Sequence, residues 1–265
     1  MFNLIKAQQY RTLRDNATYI IICVGIVFYV FTTLMMLMDG SSKNTDAGHF
    51  FLMAVTSQAI VGNLLIMALT SLICGSDLVD RTMNFELLDG SKRSAVFFSR
   101  FIVALCWSLG VIYAIILIPM IFLGVFKGWG DILSVAGFAK RMALLLFPYI
   151  RIVALYTALT FILGDHRAVF AIGFIFCQFE MLADMMIQEI TKLPTFVRSL
   201  LSAPAVSVML DVDNIGFDYV DAKDISVVKD SMTAADNAVC AGICIAATVI
   251  ALVAGLKIFK KKDLK

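Results

Sequence analysis

The sequence predicts an all-α, polytopic membrane protein: six transmembrane helices, an amphipathic N-terminal interfacial helix and a short cytosolic helix between spans two and three. Three observations carry this. Hydrophobic residues make up 60% of the 265 and charged residues 16%, against about 45–50% and about 25% in soluble domains. Mean hydropathy is +0.89. Apolar runs of spanning length, roughly 20 residues, recur from one end to the other and leave no room for a separate soluble domain. The chain is therefore read as one transmembrane domain over 1–265.

Residues 1–18 are polar and carry Lys6, Arg11 and Arg14, while Phe2, Ile5 and Leu13 share a face. That pattern predicts a helix lying in the membrane interface. A full span follows without a small-residue cleavage site, so the stretch is not read as a signal peptide. Spans are expected at about 19–38, 51–73, 96–125, 142–163, 168–187 and 238–256. The third exceeds what a bilayer needs and is expected to tilt or to bend at Pro119. Trp129, in the loop after it, suits an interface anchor. Segment 188–237 begins apolar, is broken by Pro194 and Pro204, and turns acidic. It is expected to form an outer cap or to rest on the headgroups. Basic residues gather at Lys6–Arg14, Arg81–Arg100 and Lys257–Lys265. By the positive-inside rule both termini and the loop after span two face the cytosol of a cell-membrane protein.

That loop is the longest charged interruption in the first half of the chain. Asp77 is placed to N-cap a helix, with Asp80 in its first turn. Val79, Met83 and Leu87 recur every four residues as an apolar stripe. Gly90 supplies a stop, followed by Lys92 and Arg93. A helix this small buries too little to stand alone, so its stripe needs a membrane interface or a partner. Asp80, Arg81, Met83, Phe85, Glu86 and Leu87 are the residues expected to meet a soluble motor, the alternative being a solvated helix on the headgroups.

Charge inside a bilayer costs about 2.5–3.5 kcal/mol per residue on insertion scales. Arg151 lies 12 residues before the end of span four at Leu163, and Glu180 lies 12 residues after the start of span five at Ala168. At about 1.5 Å per residue both are about 18 Å deep, which predicts an Arg151–Glu180 ion pair. Asp184 stands one turn above Glu180, with Gln178 nearby. These carboxylates suit a cation or a basic substrate group, or else lie at the interface against the cap. Thr56, Asn63 and Thr70 recur every seven residues, as a substrate path or as hydrogen-bonding glue between helices. Span six has two lines of small residues, Ala238, Gly242, Ala246 and Ala247, Ala251, Gly255, which suit close helix packing. The six cysteines fall in or beside apolar runs and read as packing residues, not as a disulfide framework or metal set.

Three stretches, LIKAQQYRTLRDNATY, DRTMNFELLDGSKRSAVFFSRF and GLKIFKKKDLK, together resemble the permease subunits of type-2 ABC transporters. The first is similar to their amphipathic helix, the second to their first cytosolic loop, with Arg81-Thr82 in place of Gly-Thr and with Gly90 and Arg93 in position. The third is similar to their terminal pattern, through Gly255, Phe259, Lys262 and Asp263. The resemblance implies a permease that pairs with a second copy or a related permease chain and binds an ABC ATPase subunit through Asp80–Leu88. It implies export of a peptide, drug-like or lipid-like molecule. No G-x-x-x-x-G-K-[ST] loop occurs, so ATP and Mg are expected on the partner ATPase and no cofactor on this chain. Membrane lipid is the other expected partner; nucleic acid is not expected. Hydrolase motifs such as H-E-x-x-H and G-x-S-x-G are missing, and His49 and His166 fall on opposite sides of the bilayer, so no catalytic residue is expected. The alternative function is a membrane immunity protein that sequesters an antimicrobial peptide without transport.

Overall fold

Sustained apolar runs without strand-like alternation leave the backbone one way to satisfy its polar groups in lipid, namely the helix. A computed structural model describes residues 1–38, 47–79, 82–129, 135–190, 200 and 234–262. Of these 93% are helical and none is in a strand. The helices are α1 (Phe2–Arg14), α2 (Asn16–Met38), α3 (Ala47–Val79), α4 (Met83–Leu88), α5 (Arg93–Lys127), α6 (Val135–Leu163), α7 (His166–Ile190) and α8 (Ala234–Lys261).

Four described stretches are long and apolar enough to cross a membrane: Val61–Val79, Arg93–Phe126, Val135–Leu163 and Ala235–Lys261. A fifth joins them if the pair Phe2–Arg14 and Asn16–Phe31, bent by 64°, counts as one span. This is the architecture of a multi-pass membrane protein. Several helices overrun the spans expected from hydropathy. α3 starts before Phe51 and continues past Ile73 to Val79, and α8 starts at Ala234 rather than 238. Hydropathy marks only the apolar part, whereas the backbone ladder carries on into polar residues. Pro119 removes one ladder donor, yet α5 continues through it to Lys127. Most of the expected cap, 188–237, lies outside the described residues.

α3, α5 and α6 form the centre, and α6 against α8 is the most extensive helix pair. Gly255 makes that pairing close, because a Cβ there would stand 2.8 Å from Ala158 Cβ and 2.9 Å from its Cα. One end of the bundle is closed by rings: Phe51 and Trp129 each meet Phe138 edge-on, at 4.9 and 5.4 Å. Trp129, expected as an interface anchor, thus packs against α6. The other end carries α1, α4 and the end of α8, and the charged residues concentrate there.

Candidate functional site

The loop between α3 and α5 departs from its sequence reading at its start. Asp77 does not cap a new helix. The apolar run holds α3 in register to Val79, so Asp77 lies in its last turns, fully buried. Asp80 and Arg81 lie outside the described residues. α4 then occupies only Met83–Leu88, with Thr82 as N-cap. Its end follows the expected stop. Gly90 takes φ +87°, where a side chain would be strained. The Gly90 amide donates to the Leu87 carbonyl at 3.1 Å and the Ser91 amide to that of Glu86 at 3.3 Å, the paired bonds of a Schellman ending.

Of the predicted stripe, Met83 and Leu87 turn inward, while Val79, which ends α3, is 41% exposed. Met83 is buried and Leu87 packs against the core, whereas Phe85 and Leu88 are 68% and 81% exposed. The surface α4 offers outward is therefore Phe85 and Leu88, with Glu86 turned to the bundle.

What holds α4 is ionic. Arg100, near the start of α5 and 1% exposed, donates through Nη2 and Nε to Asp77 Oδ2 at 2.6 and 3.2 Å. Its Nη2 also pairs with Glu86 at 3.3 Å. Thr82 donates to Asp77 Oδ1 at 2.8 Å, and Arg11 of α1 pairs with the same oxygen. Asp77 is thus shared by four elements. A buried carboxylate would be untenable alone, but two guanidiniums and a hydroxyl neutralise it. Gln8 of α1, also buried, donates to the Ile73 carbonyl at 3.0 Å. α1 therefore packs through Ile5, Gln8 and Thr12 rather than showing Ile5 to lipid with Phe2 and Leu13.

A second set of contacts ties in the tail. Arg93 Nη1 donates to the carbonyls of Phe259, Lys260 and Lys262 at 3.1, 2.8 and 2.8 Å. Lys262 Nζ donates to those of Ile162 and Phe161 at 3.0 and 3.4 Å. Each cation meets the bare carbonyls of a helix C-terminus, α8 and α6 respectively, where the macrodipole is negative. Phe97, Phe161 and Phe259, all fully buried, stack beneath.

Deeper in the bundle the polar residues go to separate neighbours. Thr70 meets Ser108 of α5 at 3.3 Å and Asn63 donates to Cys177 of α7 at 3.7 Å. Both are buried, so they act as links between helices; the side chain of Thr56 lies outside the described residues. Arg151 is buried beside Cys244 of α8 and donates to the Leu200 carbonyl. Glu180 is buried near Tyr156 and Cys177. Gln178 is exposed, and the side chain of Asp184 lies outside the described residues.

Sequence reasoning missed Asp77 as the hub, and Arg100 and Gln8 as its surroundings. The signal was present: an acid in the last turn of one apolar run, and an arginine one turn into the next, must pair if both are buried. No protein-family model and no curated protein matches this chain.

Proposed function

We propose that the chain is the transmembrane permease subunit of an ATP-driven ABC transporter, exporting a peptide, drug-like or lipid-like amphipathic substrate. In this reading six helices span the cell membrane, both termini are cytosolic, and α4 is the coupling helix gripped by a separate ATPase. A second permease chain completes the pathway. The observation that carries the reading is the ion-pair chain from Glu86 of α4 through Arg100 of α5 to Asp77 of α3. It joins the short helix to the two long helices on either side, so a push on α4 is delivered to both. Phe85 and Leu88, exposed on the outer side of α4, supply an apolar surface for the partner, with an aromatic ring of the type enriched at interfaces.

The test is co-purification from native membranes. The wild-type chain is expected to bring down a partner that hydrolyses ATP, and Phe85→Asp with Leu88→Asp to lose both partner and hydrolysis while keeping its yield. Labelling of Ser91→Cys, in a cysteine-free background, by a membrane-impermeant reagent on intact cells would sink the reading. So would a wild-type complex that binds a peptide tightly but contains no ATPase, the result expected of a sequestering immunity protein.

A further inference from the structure

Charge on α1 is used unevenly. Arg11 is committed to Asp77 and Thr82. Arg14, one turn on, is exposed, and its guanidinium lies over the Tyr10 ring at 4.6 Å. Apart from that ring contact it has no hydrogen bond or ion pair among the described residues. The neighbouring acid is engaged as the cap of α2: Asp15 Oδ1 accepts from the Ala17 amide at 3.1 Å and Oδ2 from the Thr18 hydroxyl at 3.0 Å.

These residues face a cavity of about 460 Å³ in the crook between α1, α2 and the last turns of α3, bordered by Tyr10, Arg11, Arg14, Asp15, Thr18 and Ser76, so that two guanidiniums stand there against one carboxylate. Its size falls within the roughly 300–1,000 Å³ of small-molecule sites. The 64° bend between α1 and α2 sets its level. α2 leaves the crook as an apolar helix with Ile20, Val24 and Val27 exposed, while α1 turns aside with Phe2 and Leu13 exposed. The cavity therefore opens where hydrocarbon gives way to headgroups. It offers a guanidinium for a phosphate oxygen, the Ser76 hydroxyl for a polar head, and the exposed apolar residues of α2 for acyl chains.

We propose that this crook is a binding site for the phosphodiester headgroup of an anionic phospholipid, with Arg14 as its phosphate ligand. The site rests on the membrane-spanning reading of the helices and is independent of any ATPase. Arg14 is expected to favour an anionic headgroup over a zwitterionic one by about five-fold in affinity, the order of one basic residue facing an anionic lipid.

The experiment uses the full chain in mild detergent, with native mass spectrometry to count bound lipid and thermal melting as a second readout. Short-chain phosphatidylglycerol is expected to be retained and to raise the melting temperature, with short-chain phosphatidylcholine retained about five-fold less. R14Q is expected to lose that preference, and R14K to keep part of it. Because Arg14 is exposed, both variants should fold, which their unliganded melting temperatures check. Equal retention of the two lipids by the wild type, or an unchanged preference in R14Q, overturns the proposal. Stabilisation by inorganic phosphate equal to that by phosphatidylglycerol would make the ligand free phosphate and overturn the lipid assignment.

Discussion

Arg93 donates to the Lys262 carbonyl at 2.8 Å, across 169 residues of chain. Lys262 in turn reaches the end of α6 through its own ammonium. The loop after α4 and the C-terminal tail are therefore one clasp, closing two helix ends with two cations. Each set of bare carbonyls would otherwise depend on water. A half-exposed cation at a helix C-terminus contributes about 0.3–1 kcal/mol. Arg93→Ala is expected to lower the melting temperature of the detergent-solubilised protein and to speed proteolysis of the tail after Ile258, with Arg93→Lys in between. A tail equally resistant in Arg93→Ala would show that the clasp is not holding it.

The Asp77–Arg100 pair makes a stronger claim. With side-chain exposures of 0% and 1%, removing one partner leaves the other on its weaker, part-exposed contact, Asp77 on Arg11 and Arg100 on Glu86, a change of up to about 3–5 kcal/mol. Arg100→Met and Asp77→Asn should each reduce folded yield sharply. The double variant should recover much of that loss, because replacing both partners of a buried pair is tolerated far better than replacing one. The double-mutant cycle measures the coupling directly. Losses that simply add would mean that the two side chains act separately.

How much of this is legible in the sequence varies with the scale. All-helical class, the short α4 and its Gly90 ending follow from apolar run length and local chemistry, both of which a linear sequence displays. The facing of α4 does not. A four-residue stripe says which residues share a face, and Met83 and Leu87 do, but a six-residue helix beside a bundle can bury that face inward or offer it outward. Nothing local distinguishes the two; the decision is made by Glu86 reaching Arg100, a contact set by the α3–α5 packing. The N-cap expected at Asp77 fails for a related reason. An acid near a charged loop resembles an N-cap, and only the continuation of α3 through Val79 turns it into a buried hub.

The facing of α4 separates two substitutions that its sequence pattern would treat as alternatives. Met83→Asp puts a carboxylate at a position 1% exposed within the hydrophobic core, an unpaired buried charge of the kind that unfolds proteins. Phe85→Asp puts it in solvent. Met83→Asp is expected to be lost from the membrane fraction, and Phe85→Asp to accumulate as wild type while failing in any partner-dependent assay. Immunoblots of membrane fractions give the first comparison; comparable yields of the two would mean that Met83 is not held in the core.

Span six supplies a test within one helix. Its two lines of small residues look equivalent in sequence, yet Gly255 on one and Gly242 on the other meet very different surroundings. At Gly255 an added Cβ would fall 2.8 Å from Ala158 Cβ and 2.9 Å from its backbone Cα. Backbone cannot swing aside as a side-chain tip can, so α6 and α8 would have to part. At Gly242 nothing lies within 4 Å. Gly242→Ala should therefore be neutral or stabilising by up to about 1 kcal/mol, through the higher helix propensity of alanine. Gly255→Ala should destabilise by about 1–3 kcal/mol through overpacking, despite gaining the same propensity. Adding Ala158→Gly removes the methyl group from the crossing but leaves the backbone of α6 in the way, so it should restore only part of the loss. Equal melting temperatures for Gly242→Ala and Gly255→Ala would mean that the α6–α8 crossing is looser than this geometry requires.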